Sequence, residues 1–469
     1  MSHSNSSVHR VQQGVSTLQR REFLRRGAAL SAAGVAAPWA LSLAAMGEAA
    51  AATTVNDYKA LVCVFLYGAN DHNNTVVPFD AATHATYTSI RASLATPRDQ
   101  LLALNPRTAL PSSSQMGLAP QLTGLKSLFD AGRMGVVLNV GPLVVPTTLA
   151  QYYAKSVPLP PKLFSHNDQQ SIWQSSLAEG STSGWGGRLG DLFLANNATS
   201  TFTCMNVSGN AVFMSGQQAV QYQVSSTGAV KLSATTGNSF GSPAVSQALQ
   251  TLTQATSNHW MEAEHARIMK RAVQAEAQLS AGLAAAPTLT TAFNSANPLA
   301  TQLQMVARTI AARNALGTKR QVFFVSLGGF DLHDNLLTQH PGLLTNVSEA
   351  ISSFYAATVE LGVASQVTTF TASDFGRTLT SNGDGSDHGW GSHHFVLGGA
   401  VAGQQFYGKL PSMAVNGPDD VGQGRLLPTT SVDQLGAALA TWFGVPVSDL
   451  PTVFPNVGNF DLGTLPLFQ

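Results

Sequence analysis

The sequence predicts an α/β fold in which a mostly parallel sheet is flanked by helices. Short apolar runs, rich in β-branched and aromatic residues, end abruptly in Gly, Asn or Asp, and such runs are typical of strands buried on both faces. Helical patterns lie between these runs, and this alternation favours parallel strands joined by helical crossovers. Polar clusters follow the runs directly, and open parallel sheets bind ligands at that edge.

Four runs define the predicted strands. They are ALVCVFL before YGANDHNN, MGVVLNV before GPL, QVFFVSL before GGFDLHD, and VTTFTA before SDFGRT. The last three are preceded by the helical patterns QLTGLKSLFDAG, PLATQLQMVARTIAARNALG and LLTNVSEAISSFYAATVELGV. Near the C-terminus, TTSVDQLGAALATWFGV predicts an amphipathic helix that begins at a Thr/Ser cap and packs on the sheet.

The pattern changes from about residue 180 to residue 290. This region contains GWGGRLGDLF, a strand-like TFTCMNVSG, a Ser/Gly/Gln-rich stretch, and a long helical pattern around HWMEAEHARIMKRAVQAEAQLSAGL. We interpret it as an inserted cap over the edge of the sheet. The prediction is therefore a single α/β domain over residues 53–469 that carries an insertion.

The N-terminal segment is predicted to be a twin-arginine signal peptide over residues 1–52. Arg20 and Arg21 precede an alanine-rich, weakly apolar run, and small residues offer a cleavage site near Glu48–Ala52. The alternative is a membrane anchor, but the run is short and is broken by Pro38. We therefore expect a periplasmic or secreted protein that uses the twin-arginine translocation machinery and keeps no stable membrane span after cleavage.

The charge content argues against a nucleic-acid partner, and the positions of the two cysteines predict their state. Only 11% of the 469 residues are charged, with 25 basic and 25 acidic residues. The sequence contains no basic run of the kind that binds nucleic acid. Cys63 and Cys204 both lie in apolar, strand-like runs. A periplasmic location permits a disulfide between them, but buried free thiols are the prediction.

Metal-type ligands follow three of the predicted strands. Asp71 and His72 follow the first, although Asn and Asp also favour turns. Asp331 and His333 follow a later strand, and an Asp-x-His pair suits a divalent metal. The final cluster follows the fourth strand and contains Asp374, Asp387, His388, His393 and His394.

Another candidate cluster is LFSHNDQQSIWQSS, where Ser165 stands at the predicted start of a helix from His166 to Ser176. Ser165 could be a helix cap, with Asp168 at the third helical position as in a capping box. The same geometry could make Ser165 a nucleophile beside free backbone N–H groups, with His166 and Asp168 placed to tune it. Both interpretations remain open at this point.

These clusters together predict a one-metal or two-metal hydrolytic site. Carboxylates gathered in one pocket repel one another unless a cation is present. Arg377, close to Asp374 in the chain, could pair with a carboxylate or with an anionic group of a substrate. The alternative is a structural hydrogen-bond network in Gly/Asn-rich loops.

The quoted motifs also carry a family resemblance. The twin-arginine signal, LVCVFLYGANDHNNTVVP, LFSHNDQQSIWQ, GWGGRLGDL, GGFDLHD and SDFGRTLTSNGDGSDHGWGSHHFVLGGAV resemble the bacterial DUF1501 family over about Lys59–Phe454. That family looks like a distant branch of the alkaline phosphatase and sulfatase superfamily. The resemblance implies a parallel α/β sheet with a metal site at the strand ends.

The resemblance also implies roles for single residues. Asp71 matches the Asp after the first strand, and Ser165 matches a nucleophile at a helix start. Asp331 and His333 match the middle pair, although their spacing is shorter than is usual. The implied metal ligands are Asp71, Asp331, His333, Asp374, His388 and His393, the last two being alternatives for the late histidine.

One departure from the superfamily pattern concerns Phe375, which stands after Asp374 where a histidine is usual. One metal position would lack an imidazole unless His72 or the Asp387 loop replaces it. The predicted function is an exported hydrolase of phosphate or sulfate esters, on small-molecule or polymer substrates. It would use Ser165, His166 and Arg377 with a divalent metal, which could be Zn, Ca, Mg or Mn. The alternative is a non-catalytic binding or assembly protein on a degenerate form of the fold.

Overall fold

The computed structural model of the protein describes residues 57–232, 238–255 and 257–469. The predicted signal peptide at residues 1–52 lies outside the described residues. The strands are β1 (Lys59–Leu66), β2 (Val76–Pro78), β3 (Leu102–Ala103), β4 (Met116–Leu118), β5 (Met134–Gly141), β6 (Cys204–Asn206), β7 (Tyr222–Ser225), β8 (Gly228–Ala229), β9 (Arg320–Leu327), β10 (Val367–Ser373), β11 (Ser392–Gly398), β12 (Gln405–Tyr407) and β13 (Thr430–Ser431).

The α-helices of the described segments, numbered along the chain, pack around these strands. They are α1 (Ala81–Arg91), α2 (Thr123–Asp130), α3 (Leu149–Ala154), α4 (His166–Ser175), α5 (Trp185–Asp191), α6 (Pro243–Gln254), α7 (Trp260–Ala285), α8 (Pro298–Ala311), α9 (Arg313–Leu316), α10 (Leu336–Glu360), α11 (Val432–Phe443) and α12 (Leu450–Val453).

The main sheet is mixed and mostly parallel, which confirms the predicted fold class. Its strand order is β12-β5-β11-β10-β1-β9-β6-β7-β8, and β13 pairs with β5 beside this path. β1 lies between β9 and β10 and is parallel to both. β11 and β8 run antiparallel to their neighbours. β2, β4 and β3 form a separate antiparallel sheet.

Both faces of the central strands are covered, and this explains the continuous apolar run Ala60–Leu66 of β1. Val62 and Val64 face the core that includes buried residues of α2, α8 and α10. Leu61, Cys63 and Phe65 face the opposite core, which includes buried residues of α5 and α11. Alternate residues of a strand point to opposite faces, so a sheet covered on both sides selects a continuous apolar run.

The region at residues 180–290 contributes strands to one end of the main sheet, so only part of it is an insertion or cap. β6 pairs with β9 and β7 pairs with β6, both in parallel, so these strands extend one end of the sheet. The later part of this region, which contains α6 and α7, corresponds to the predicted insertion. The strand-like segment TFTCMNVSG contains β6, a three-residue strand, but no local pattern indicates that it pairs with β9.

Cys63 and Cys204 are buried free thiols, as predicted. Burial raises the pKa of both thiols, and that of Cys63 is raised well above its ordinary value. Within the described segments, no helix is both long enough and apolar enough to cross a membrane.

Candidate metal centre

Three groups converge at the carboxyl ends of the central strands. His166 begins α4, Asp331 follows β9, and His388 lies in the loop between β10 and β11. One ligand atom from each of these residues lies within 4.8 Å of the other two. The Nε2 atoms of His166 and His388 are 3.1 Å apart, and they lie 3.4 and 3.5 Å from Asp331 Oδ1.

His333 adds a fourth group to this cluster. Its Nε2 atom is 2.9 Å from His388 Nε2 and 3.0 Å from Asp331 Oδ1. Two imidazole nitrogens at such distances must share a proton or a cation, since two lone pairs facing each other repel. We refer to His166, Asp331, His333 and His388 as the metal cluster.

The other ring nitrogen of each histidine is held by an oxygen. His388 Nδ1 donates to the carbonyl of Phe164 at 2.7 Å. His166 Nδ1 lies 2.6 Å from Asp374 Oδ2, and His333 Nδ1 lies 3.1 Å from Asp387 Oδ1. An oxygen acceptor at Nδ1 fixes the tautomer in which Nε2 carries the lone pair, and this arrangement is typical of metal-ligating histidines. The residues therefore fit a divalent metal.

Asp374 contacts the cluster through the Nδ1 atom of His166. Its Oδ2 atom accepts hydrogen bonds from the Gln170 side chain at 2.8 Å and the Gly68 amide at 3.2 Å, besides its contact with His166. Its Oδ1 atom is buried and has no hydrogen-bond partner among the described residues. A buried carboxylate oxygen without a donor is costly, and a nearby cation would offset that cost.

The pKa values of the cluster residues are shifted by partial burial and by these hydrogen bonds and ion pairs. Burial lowers the pKa of His166, but the hydrogen bonds and negative charges of Asp374 and Asp331 together outweigh burial, so the pKa is raised overall. Burial raises the pKa of Asp331, whereas Arg377 lowers it, and the net direction is down. The pKa of His388 is lowered, chiefly by burial. The cluster thus combines an ionised carboxylate with at least one neutral imidazole.

Asp71 is not brought into the metal cluster, although the sequence predicts it as a ligand. Its Oδ2 atom pairs with Arg91 at 2.6 Å and accepts from the Ser386 hydroxyl at 2.8 Å. Its Oδ1 atom accepts from the Asn74 amide at 3.2 Å. Asp71 and Arg91 are 1% and 0% exposed. Burial raises the pKa of Asp71, but Arg91 outweighs it and the pKa is lowered to about 2.

Arg377 pairs with a carboxylate of the protein, which is one of the two partners that the sequence indicates for it. The side chain is 0% exposed. Its terminal nitrogens donate to Asp331 Oδ1 at 2.6 Å and to the Ser386 carbonyl, and its Nε atom faces the Ser386 hydroxyl at 3.4 Å. Arg377 therefore orients Asp331 in the cluster and has no exposed donor.

His393 also lies apart from the cluster, although the sequence predicts it as a ligand, because it belongs to β11 and not to the loop that contains His388. β11 begins at Ser392, so His393 and His394 are buried inside the main sheet. The Asn139 amide donates to His393 Nδ1 at 2.9 Å, and burial lowers the pKa of His393 well below its ordinary value. His72 contacts the ring of His393, with centroids 5.0 Å apart.

Ser165 stands directly before α4, next to the candidate ligand His166. Its hydroxyl donates to Asp168 Oδ2 at 2.7 Å and makes no capping bond to the helix backbone, so the capping box is absent. The backbone before it is strained, since Lys162 and Phe164 have positive φ angles of 46° and 72°. Such conformations are uncommon in residues other than glycine and cluster at functional sites.

Phe375 forms the apolar wall of the cluster and is 1% exposed. Its ring centroid lies 4.8 Å from that of His166 and 4.9 Å from that of His388. Phe375 stands where the superfamily pattern usually has a histidine. Its ring packs against the imidazoles of His166 and His388 and adds no further imidazole to the cluster. It fixes their orientation and keeps water from that side.

Sequence reasoning missed Gln170 and Phe164. Gln170 follows His166 by four residues in α4, and this spacing places both side chains on one face of the helix. That spacing could have been read from the motif SHNDQQ. Nothing in the sequence indicates that the carbonyl of Phe164 accepts from His388, because every residue carries the same backbone acceptor.

The fold and the cluster together define a mostly parallel α/β protein with a histidine–carboxylate centre at the strand ends. The family described as "Protein of unknown function (DUF1501)" matches residues 58–444, and the chain belongs to the DUF1501 family. No curated protein sequence matches the chain.

Several solved structures are similar to this chain at low sequence identity. The PsFucS1 sulfatase from Pseudoalteromonas sp. is 10% identical, with a TM-score of 0.35 over 87% of this chain and 72% of that one. The C-terminal periplasmic domain of EptC from Escherichia coli is 9% identical, with a TM-score of 0.34 over 87% and 88%. The lipoteichoic acid synthase LtaP from Listeria monocytogenes is 8% identical, with a TM-score of 0.33 over 88% and 80%.

Proposed function

We propose that the protein is a metal-dependent hydrolase of phosphate or sulfate esters that uses Ser165 as its nucleophile. The observation that carries the proposal is the convergence of His166, Asp331 and His388, each histidine with its Nδ1 held by an oxygen. Imidazole ligands favour zinc and other transition metals over calcium and magnesium. His333 completes the proposed ligand set. The bound metal would polarise the ester and stabilise the charge that develops on it.

The residues of this chain supply the rest of the reaction. The Ser165 oxygen attacks the phosphorus or sulfur atom while its proton passes to Asp168, the acceptor of its hydrogen bond. The bond to the ester oxygen breaks, and Asp168 returns the proton to the leaving alcohol. Water then hydrolyses the seryl ester and restores the serine. Phe375 keeps bulk water from the imidazole faces throughout.

The test is metal analysis combined with turnover of p-nitrophenyl phosphate and p-nitrophenyl sulfate by the purified mature protein. We expect about one tightly bound ion per chain, lost in His388→Ala. Ser165→Ala should keep the ion and lower turnover by at least about 100-fold. His265→Ala, an exposed histidine on α7, is the control and should change neither quantity. Absence of both metal and turnover in the unaltered protein would refute the proposal.

A non-catalytic binding or assembly protein is the second candidate. The observations that favour it are Phe375 in place of a histidine and Asp71 paired with Arg91 away from the cluster. The same experiment separates the two, because a bound ion with no turnover of either ester supports the second candidate. Export to the periplasm with the twin-arginine machinery as partner belongs to both candidates, and cell fractionation tests it.

A further inference from the structure

A rigid turn lies beside the metal cluster, from Asn416 to Arg425. The buried carboxylate of Asp420 accepts from the backbone amides of Asn416, Gly422 and Gly424 at 2.7, 2.7 and 2.8 Å. The Gly424 carbonyl in turn accepts from the Leu379 amide at 2.9 Å. Because its backbone groups are paired internally and with the neighbouring loop, this turn holds its last residue in a fixed place.

That last residue, Arg425, contacts two segments of the metal centre. Its Nε atom donates to the carbonyl of His388 at 2.8 Å. Its guanidinium group lies over the ring of Phe164, 4.9 Å from the centroid. His388 is a member of the metal cluster, and Phe164 precedes Ser165. The guanidinium therefore sits on the rim of the cluster, on the side of the proposed nucleophile.

The two terminal nitrogens of Arg425 are available to a ligand. Among the described residues, no carboxylate pairs with this guanidinium, and only its Nε atom donates a hydrogen bond. The other two cations near the site are engaged, since Arg377 bonds to Asp331 and Lys162 faces Asp168 and Glu179 at 3.3 and 3.5 Å. The residue is half-buried, so an anion that approaches it is partly desolvated, and a charge-assisted bond there is strong.

We propose that Arg425 forms a subsite for a second anionic group of the substrate, beside the ester that is cleaved. This inference rests on the proposed function and narrows it to esters that carry another phosphate, sulfate or carboxylate group. The planar guanidinium presents two parallel N–H groups to such an anion, while stacking on Phe164 and the bond to His388 keep it in the same plane. The competing explanation is that Arg425 only anchors the His388 loop.

The test measures binding by calorimetry to metal-loaded protein in a Ser165→Ala background, so that no ligand is hydrolysed. The probes are fructose 6-phosphate and fructose 1,6-bisphosphate, which differ by one phosphate group. We expect the bisphosphate to bind about tenfold more tightly, the effect of one hydrogen bond to a charged group. Arg425→Gln, which keeps a donor for the His388 carbonyl, should remove this preference and change the monophosphate Kd by less than about twofold.

Arg267→Gln is the matched control, because Arg267 is exposed on α7 and pairs with Glu264, and it should leave both Kd values unchanged. Equal binding of the two sugars by the parent protein overturns the subsite while leaving the proposed function intact. Equal weakening of both sugars in Arg425→Gln assigns Arg425 to anchoring alone and also overturns it. If the metal-loaded protein binds neither sugar, the ester site itself is contradicted, and the inference falls with it.

Discussion

At the scale of single residues, the pair of Asp71 and Arg91 shows how a strand-end carboxylate can serve structure and not metal binding. Arg91 reaches Asp71 from the last turn of α1, and it also donates to the Thr378 carbonyl at 3.0 Å. Both charges are almost completely buried. Removal of one partner from a buried ion pair leaves an uncompensated charge, which is far more costly than loss of a surface pair.

We therefore predict that Asp71→Asn lowers the free energy of unfolding by about 3–5 kcal/mol and leaves the metal content unchanged. Denaturant unfolding and metal analysis measure the two quantities. Asp130→Asn is the control, because the pair of Asp130 and Lys126 is partly exposed within α2, and its loss should cost less than about 1 kcal/mol. Loss of metal from Asp71→Asn with normal stability would show that Asp71 is a ligand after all.

The sequence surroundings of single residues explain which parts of the site could be predicted. Asp331, His333 and His388 stand in motifs that follow apolar runs, and the sequence predicts them as metal ligands. The sequence predicts His166 as a neighbour that tunes Ser165 and not as a ligand, because it stands at a helix start. The position of Asp71 could not be predicted, because its partner lies on a helix and no local pattern shows which side of a strand end a carboxylate faces. The strand position of His393 is not predicted by the sequence, because the strand SHHFVLG begins with three polar residues.

At the scale of elements, α4 and α5 form one unit that positions the start of α4. The C-terminal carbonyls of a helix need donors, and α5 supplies two of them to α4. Trp185 donates from its indole nitrogen to the Trp173 carbonyl at 3.1 Å, and Arg188 donates to the Ser175 carbonyl at 2.7 Å. The motif GWGGRLGDL therefore holds the helix whose first residue is His166.

Close approach explains the glycines of this motif. A Cβ atom at Gly187 would collide with the backbone of Ser215 and Gly216. We predict that Gly187→Ala lowers the free energy of unfolding by about 1–3 kcal/mol, the usual effect of overpacking. Gly342→Ala is the control, since its Cβ would meet open space inside α10, and it should be neutral or stabilise by up to about 1 kcal/mol. Equal effects in a thermal unfolding assay would contradict close packing of α5.

At the scale of the whole molecule, several buried histidines should make stability depend on pH. Burial lowers the pKa of His72 and His340 to about 4 and that of His394 to about 3. In the unfolded chain, histidine titrates near its ordinary value of 6.5. Between these values the unfolded state binds more protons than the native state. The free energy of unfolding therefore falls as pH is lowered from about 6.5 towards 4.

We expect the urea midpoint to fall steadily between about pH 6.5 and pH 4.5, before most carboxylates are protonated. His340→Gln, which keeps a donor for Asn70, should reduce the number of protons taken up on unfolding by about one and so make this pH dependence weaker. His265→Gln, at an exposed position, should leave the dependence as it is. A midpoint that stays constant over this range would show that these histidines are not buried in the neutral form.

The sequence predicts the sheet well where strands are long and covered on both faces, and less well at its ends. β1, β5, β9 and β10 are seven or eight residues long and are buried along nearly their whole length. β6 and β12 have three residues each, and their pairing is decided by neighbours distant in the chain. The strand order follows from tertiary contacts that no local pattern records.

The central place of β1 has a consequence for the folding reaction. Ala60 pairs with Val367 and Lys59 pairs with Arg320, so the first described strand is completed by strands from the last third of the chain. Contacts of such high sequence separation slow folding, because the chain entropy of a long loop is lost before the pairing compensates for it. On a ribosome, β1 must wait until β9 and β10 have been synthesised, and its apolar face is exposed to chaperones and to aggregation until then.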